Sequence, residues 1–160
     1  MSEEEQSAAH PGLDPDYLLL IVVGAHLRAE QADRPLGYRL LASIETWLRE
    51  HSDVLDAPIE PMVCSDIWYL NHESLQRRPT ICIGGPGVNA LSAYFGQQLD
   101  TTTVADNEVI IQMDPEFVDL RACLWGMDHD MTAASIDVFE ERYLDGFMRA
   151  VATQVEPKVD

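Results

Sequence analysis

The sequence predicts an α/β fold, a mainly parallel sheet with helices on both faces. Three observations carry that expectation. Short continuous apolar runs of strand length recur along the chain, each closed by glycine or a polar residue, as strands buried on both faces are. Segments with apolar residues at helical spacing alternate with them. Finally, 160 residues at 46% hydrophobic suffice for one stable core without disulfides or a structural metal.

The elements follow in order. Residues 1–16 are polar and acidic with Pro11 and Pro15, and read as a disordered acidic tail before a single domain spanning 17–155. Tyr17 to Val23 is the first strand, ended by Gly24, Ala25 and His26. A loop should run to Asp33, where Asp33 or Arg34 begins a helix with Pro35 in its first turn, a position that tolerates proline. Leu36, Leu40, Ile44, Trp47 and Leu48 share one face of that helix. Pro58 precedes a second strand, Ile59 to Cys64, closed by Ser65 and Asp66. Ile67 to Arg78 is ambiguous, with a short helix or turn around Asn71 to Gln76. Thr80 to Ile83 is the third strand, and a helix follows from about Asn89, burying Val88, Leu91, Phe95 and Leu99. Thr102 to Ala105 and Val109 to Met113 flank Asp106–Asn107 and read as a hairpin. Arg121 to Trp125 is the last strand; after Gly126, Asp128–His129–Asp130 lead into one helix burying Ile136, Phe139, Tyr143, Phe147 and Val151. The summed expectation is a Rossmann-like three-layer sandwich, mainly parallel, with one antiparallel hairpin strand.

Charge narrows the partners. The chain carries 28 acids against 10 bases, a formal −18, spread over both halves. Nucleic acid and anionic membranes both require a basic face, so neither is expected. Lys158 is the only lysine, which removes Schiff-base and P-loop lysine chemistry from the site. No basic segment leads an apolar run at the N-terminus, and the longest apolar run, at seven residues, is too short to span a bilayer. Cys64, Cys82 and Cys123 lack CxxC spacing and sit in apolar segments. Reduced, buried thiols in a cytoplasmic protein are the expectation.

In such a sheet, ligands lie outside the carboxyl ends of the strands. His26 and Arg28 follow the first strand, and Asp66, Asn71 and His72 the second. Gly84–Gly85–Pro86–Gly87–Val88–Asn89 follows the third, Asp114 the hairpin strand, and Asp128, His129 and Asp130 the last. Gly84, Gly85, Gly87 and Asn89, with Arg28 for charge, are the expected ligand-binding set. Glycines there allow a tight turn, and a helix start offers free N–H groups to an anion. The segment is neither GxGxxG nor GxxxxGK[ST], and a tight turn capped by Asn89 is the alternative. Asp66, Asp128, His26 and His129 are the candidate acid–base groups. Asp128, His129 and Asp130 with His26, His72, Asp66 and Asp114 could also hold a divalent ion, but no HExxH, HxH or CxxC spacing supports a metal site, and none is expected. Cys64 and Ser65 lie at a strand end without a GxSxG elbow. No cofactor is indicated.

Ile81–Cys–Ile–Gly–Gly–Pro–Gly–Val–Asn89, Val109–Ile–Ile–Gln–Met–Asp114 and Leu124–Trp–Gly–Met–Asp128, with Thr132 and Ala133 after them, resemble the α/β domain of archaeal surface-layer proteins. The likeness covers roughly residues 79 to 145. It implies a strand ending in GGP-x-VN lying beside a strand that ends in a Gly-x-Asp turn, and it transfers no catalytic residue. Surface-layer proteins are secreted and longer, so the resemblance implies a fold more than a task.

The leading expectation is a soluble, non-catalytic binding or assembly module, with a homo-oligomer and a small polar ligand as its partners. An enzyme acting on a small nucleotide or sugar-like substrate in the carboxyl-end crevice is the alternative. A metal-dependent hydrolase using Asp128, His129 and His26 comes third.

Overall fold

The computed structural model describes residues 15–55, 58–105 and 109–154. Along the chain come β1 (Leu18–Val23), α1 (Leu27–Glu50), β2 (Glu60–Ser65), α2 (Asp66–Leu70), β3 (Thr80–Ile83), α3 (Ala90–Phe95), β4 (Thr101–Ala105), β5 (Val109–Met113), β6 (Arg121–Gly126), α4 (His129–Arg142) and α5 (Leu144–Gln154). The protein is a mixed α/β chain with one six-stranded sheet, ordered β2-β1-β3-β6-β5-β4. β2, β1, β3 and β6 pair in parallel, and β5 runs antiparallel to both β6 and β4. The expected mainly parallel sheet with one reversed strand is therefore present. Of the expected acidic tail, 1–16, residues 1–14 lie outside the described residues, as does the hairpin tip at Asp106–Asn107, while Pro15–Tyr17 form a 3-10 turn that leads into β1.

β1 is the most buried strand, with all six residues below 4% exposure. Its side chains alternate between two apolar clusters, as the two-residue period of a strand requires. Leu19, Ile21 and Val23 join Leu40 and Ile44 of α1, Phe139 of α4 and Phe147 of α5. Leu18, Leu20 and Val22 join Tyr69 of α2, Leu75, and Leu91 and Phe95 of α3. The long helices thus share one cluster and the short ones the other.

Three expectations are corrected. α1 begins at Leu27, not Asp33, so no loop spans His26 to Asp33; the His26 ring accepts the Arg28 N–H at 3.2 Å and caps the helix. Pro35 lies well inside. An interior proline costs roughly 3 kcal/mol, but Leu36, Leu40, Ile44 and Trp47 are each 8% exposed or less, and such burial contributes roughly 2 kcal/mol per large side chain. Apolar burial on one continuous stripe outweighs the lost hydrogen bond. Next, α3 ends at Phe95, and Leu99 reaches the core from the turn beyond it. Last, the final helix is two. Tyr143 leaves helical geometry at φ −126° between α4 and α5, and the break brings the Phe139 and Phe147 rings to 5.7 Å edge contact.

The ambiguous stretch also resolves. α2 occupies Asp66–Leu70 and a 3-10 turn Glu73–Arg77, with Asn71 and His72 between them. No helix among the described residues is long and apolar enough to cross a membrane.

Candidate functional site

The parallel strands end level with one another. Val23 of β1 stands beside Ser65 and Ile83, and Ile83 beside Leu124. The chain leaves β1 toward β2 on one side and returns past it to β3 on the other. The loops leaving β1 and β3 therefore diverge and open a crevice between them.

A cleft of about 580 Å³ occupies that place. Arg28, Ala29, Ala32 and Asp33 of α1 form one wall, the Gly84–Val88 loop a second, and Trp125 to His129 a third, with Thr132 behind. Two glycines make the close packing possible. A Cβ on Gly24 would sit 1.8 Å from the Val88 carbonyl oxygen, so only glycine lets the end of β1 pass beneath the second wall. Gly84 has φ +101°, and a Cβ there would also stand 2.7 Å from Asp33 Oδ2. Gly85 packs its backbone on the Trp125 ring, whereas Gly87 has open space around it.

The cleft brings together Arg28, Gly84, Gly85, Gly87, Asp128 and His129 of the expected residues. It leaves out Asn89, Asp66 and His26. Asn89 is 1% exposed, donates Nδ2–H to the Val22 and Ile83 carbonyls at 3.0 Å each, and accepts the Leu91 and Ser92 N–H groups. It ties β1 to β3 and caps α3, the capping alternative named from the sequence. Asp66 is 5% exposed and accepts the N–H groups of Ala25 at 3.0 Å, Ala90 at 2.8 Å and Ile67 at 2.7 Å. Both of its oxygens are engaged in holding three loops at one level. His26 is exposed and caps α1.

Other residues fall elsewhere. Because β5 is reversed, Met113 pairs with Ala122 at the start of β6, and Asp114 lies at the opposite end of the sheet from the cleft. Its carboxylate accepts the N–H groups of Asp119, Glu116 and Val118, which hold its pKa below the usual value. The His72 ring bonds to the Trp68 carbonyl at 2.7 Å. Ser65 caps α2 through the Trp68 N–H, and burial pushes the Cys64 thiol up to about 12, so it stays protonated. Among the described residues no group of three or more His, Cys, Asp or Glu is arranged to hold a metal ion.

Within the cleft, Asp128 caps α4, accepting the Met131 N–H at 2.8 Å, and Thr132 Oγ1 accepts the Gly126 N–H at 3.2 Å. These bonds join the end of β6 to the start of α4. No protein-family model matches this chain, and no curated protein matches it. The Gly84–Gly85–Pro86 loop and the Gly126–Met127–Asp128 turn border the same cleft.

Asp33 is the residue sequence reasoning missed. It is 7% exposed and lines the cleft. Burial raises its carboxyl pKa, while the nearby His129 charge pulls the other way. The signal was present: Ala29, Asp33, Leu36, Leu40, Ile44 and Trp47 follow one helical stripe, so a lone acid stands on the core-facing side. A helix beginning at Asp33, as Pro35 suggests, would place it in the first turn, where an acid simply complements the helix dipole.

Proposed function

We propose that this protein is a non-catalytic small-molecule-binding module, a Rossmann-like three-layer sandwich whose ligand enters the cleft at the carboxyl ends of β1, β3 and β6. One observation carries the reading. Polar groups at this sheet edge divide into a set engaged by the fold, Asp66 and Asn89, and a set left facing the cleft, Arg28, Asp33 and His129. A site for small molecules has this composition, mostly apolar walls with a few convergent polar groups. The likeness to surface-layer domains is in keeping with a binding or assembly role. The −18 charge argues against nucleic acid, and three free, buried cysteines suit a cytoplasmic setting.

The test is an unbiased small-molecule screen by thermal shift, repeated with Ala32→Leu, which narrows the cleft from α1. Hits that weaken at least about tenfold in that variant support the site. Hits indifferent to it, or a silent screen, overturn the reading.

A second reading, an enzyme acting on a small nucleotide or sugar-like substrate, is favoured by one observation: Asp33, with its raised pKa, stands near His129 across the cleft. Turnover of a screened hit that is lost in both Asp33→Asn and His129→Gln selects this reading over simple binding.

A further inference from the structure

We propose that the cleft takes a small organic amine, whose ammonium group donates to the Asp33 carboxylate while its apolar body lies against the walls. This rests on the binding reading above and names the chemistry of its ligand.

Asp33 carries the argument. A carboxylate wants several donors, and a buried one without them is costly to keep. Asp66, at the end of β2 on the same sheet edge, shows the ordinary solution: its two oxygens accept three backbone N–H groups. Asp33 is nearly as buried at 7% exposure, yet among the described residues no hydrogen bond or salt bridge is made to its carboxylate, whose oxygens stay open to the cleft and feel only the charge of nearby His129. Its remaining exposure is toward the cleft, which it lines. A group held this way is completed by a donor arriving from the cleft.

The surroundings select among donors. An anion is opposed by Asp33 itself and by Asp128 on the facing wall, with only Arg28 at the exposed rim and the His129 ring, whose charge already acts on Asp33, on the other side of the balance. A divalent metal ion needs several oxygen or nitrogen ligands converging on one point, and the described residues offer no such group. An ammonium needs one well-placed carboxylate and accepts apolar contact elsewhere. Ala29, Ala32, Val88, Trp125 and Met127 supply that contact. The −18 field of the whole molecule also concentrates cations near its surface.

The experiment compares three series of matched carbon skeleton: primary amines, the corresponding alcohols, and the corresponding carboxylic acids. Binding is followed by ¹⁵N–¹H chemical-shift titration of the folded, full chain at pH 7, with wild type, Asp33→Asn and Ala32→Leu. The expected result is that amines shift the Gly84–Val88 and Trp125–His129 amides, that alcohols and acids bind at least about tenfold more weakly, and that Asn at position 33 removes the difference. If alcohols or acids bind these amides as well as amines do, the amine inference is overturned while the cleft reading stands. If no series shifts them, both fall. Amine binding undiminished in Asp33→Asn also overturns the inference. The unliganded variant's spectrum and melting temperature show that it is folded.

Discussion

Asp33 couples the cleft to stability at the level of one side chain. Burial raises its carboxyl above the ordinary 3.8, so the folded state favours the protonated form. The resulting penalty is absent below the unfolded value and complete once pH exceeds the folded one. His129, when protonated, offsets part of it; Arg28 and Asp128 are the other charged groups around the cleft. Asp33→Asn should therefore raise stability at pH 7, read as a melting temperature above that of the wild type. The gain should vanish near pH 3.5, about where an unfolded aspartate protonates. A melting curve at each pH checks it, and a variant less stable at pH 7 would contradict the placement of Asp33. Asn89→Ala should act in the opposite sense. It orphans two carbonyls and two N–H groups in the interior, for a loss of roughly 2–4 kcal/mol in urea unfolding.

At the scale of elements, glycines report how closely the loops are set. Gly24→Ala meets a backbone carbonyl at 1.8 Å that cannot step aside, and should cost roughly 2–4 kcal/mol. Gly87→Ala meets nothing within 4 Å and should change stability by less than about 0.5 kcal/mol. Paired denaturation curves of the two variants measure the contrast. Much of the architecture was legible in the sequence for a plain reason. β1, β3 and β6 are near-continuous apolar runs, and only a strand buried on both faces uses them. β3 matches residue for residue. What was hidden depended on contacts remote in sequence. Pro35 signals a helix start, and only the burial of Ala29 and Asp33 shows that the helix began two turns earlier. The break at Tyr143 exists because residues on either side pack into one cluster. At the candidate site, the three loops and six of the expected residues were readable from strand-end position. The separation of Asp66 and Asn89 from the cleft was not, since their roles rest on N–H and C=O groups of β1 and its neighbours. The hairpin was legible at Asp106–Asn107, but that β5 and not β4 is the strand laid against β6, which carries Asp114 away from the cleft, depends on pairing that no local pattern encodes.

For the molecule as a whole, an 18-charge excess of acid makes self-repulsion a standing load on the compact state. Screening shortens the reach of those charges to about 8 Å at 0.15 M salt and about 3 Å at 1 M. Melting temperature should consequently climb with added sodium chloride and level off toward 1 M, and a flat or falling profile would show that ion pairs such as Arg39 with Asp137 and Glu140, which link α1 to α4, matter more than the excess. Pro35 has a separate effect on tempo. It withholds the amide that would close on the Gln31 carbonyl, leaving a seam in α1 between the cleft wall, Arg28 to Asp33, and the stretch from Leu36 to Trp47 that anchors the core. Deuterium should enter the two sides of that seam at different rates, the wall through brief local opening and the anchor only when the entire domain lets go.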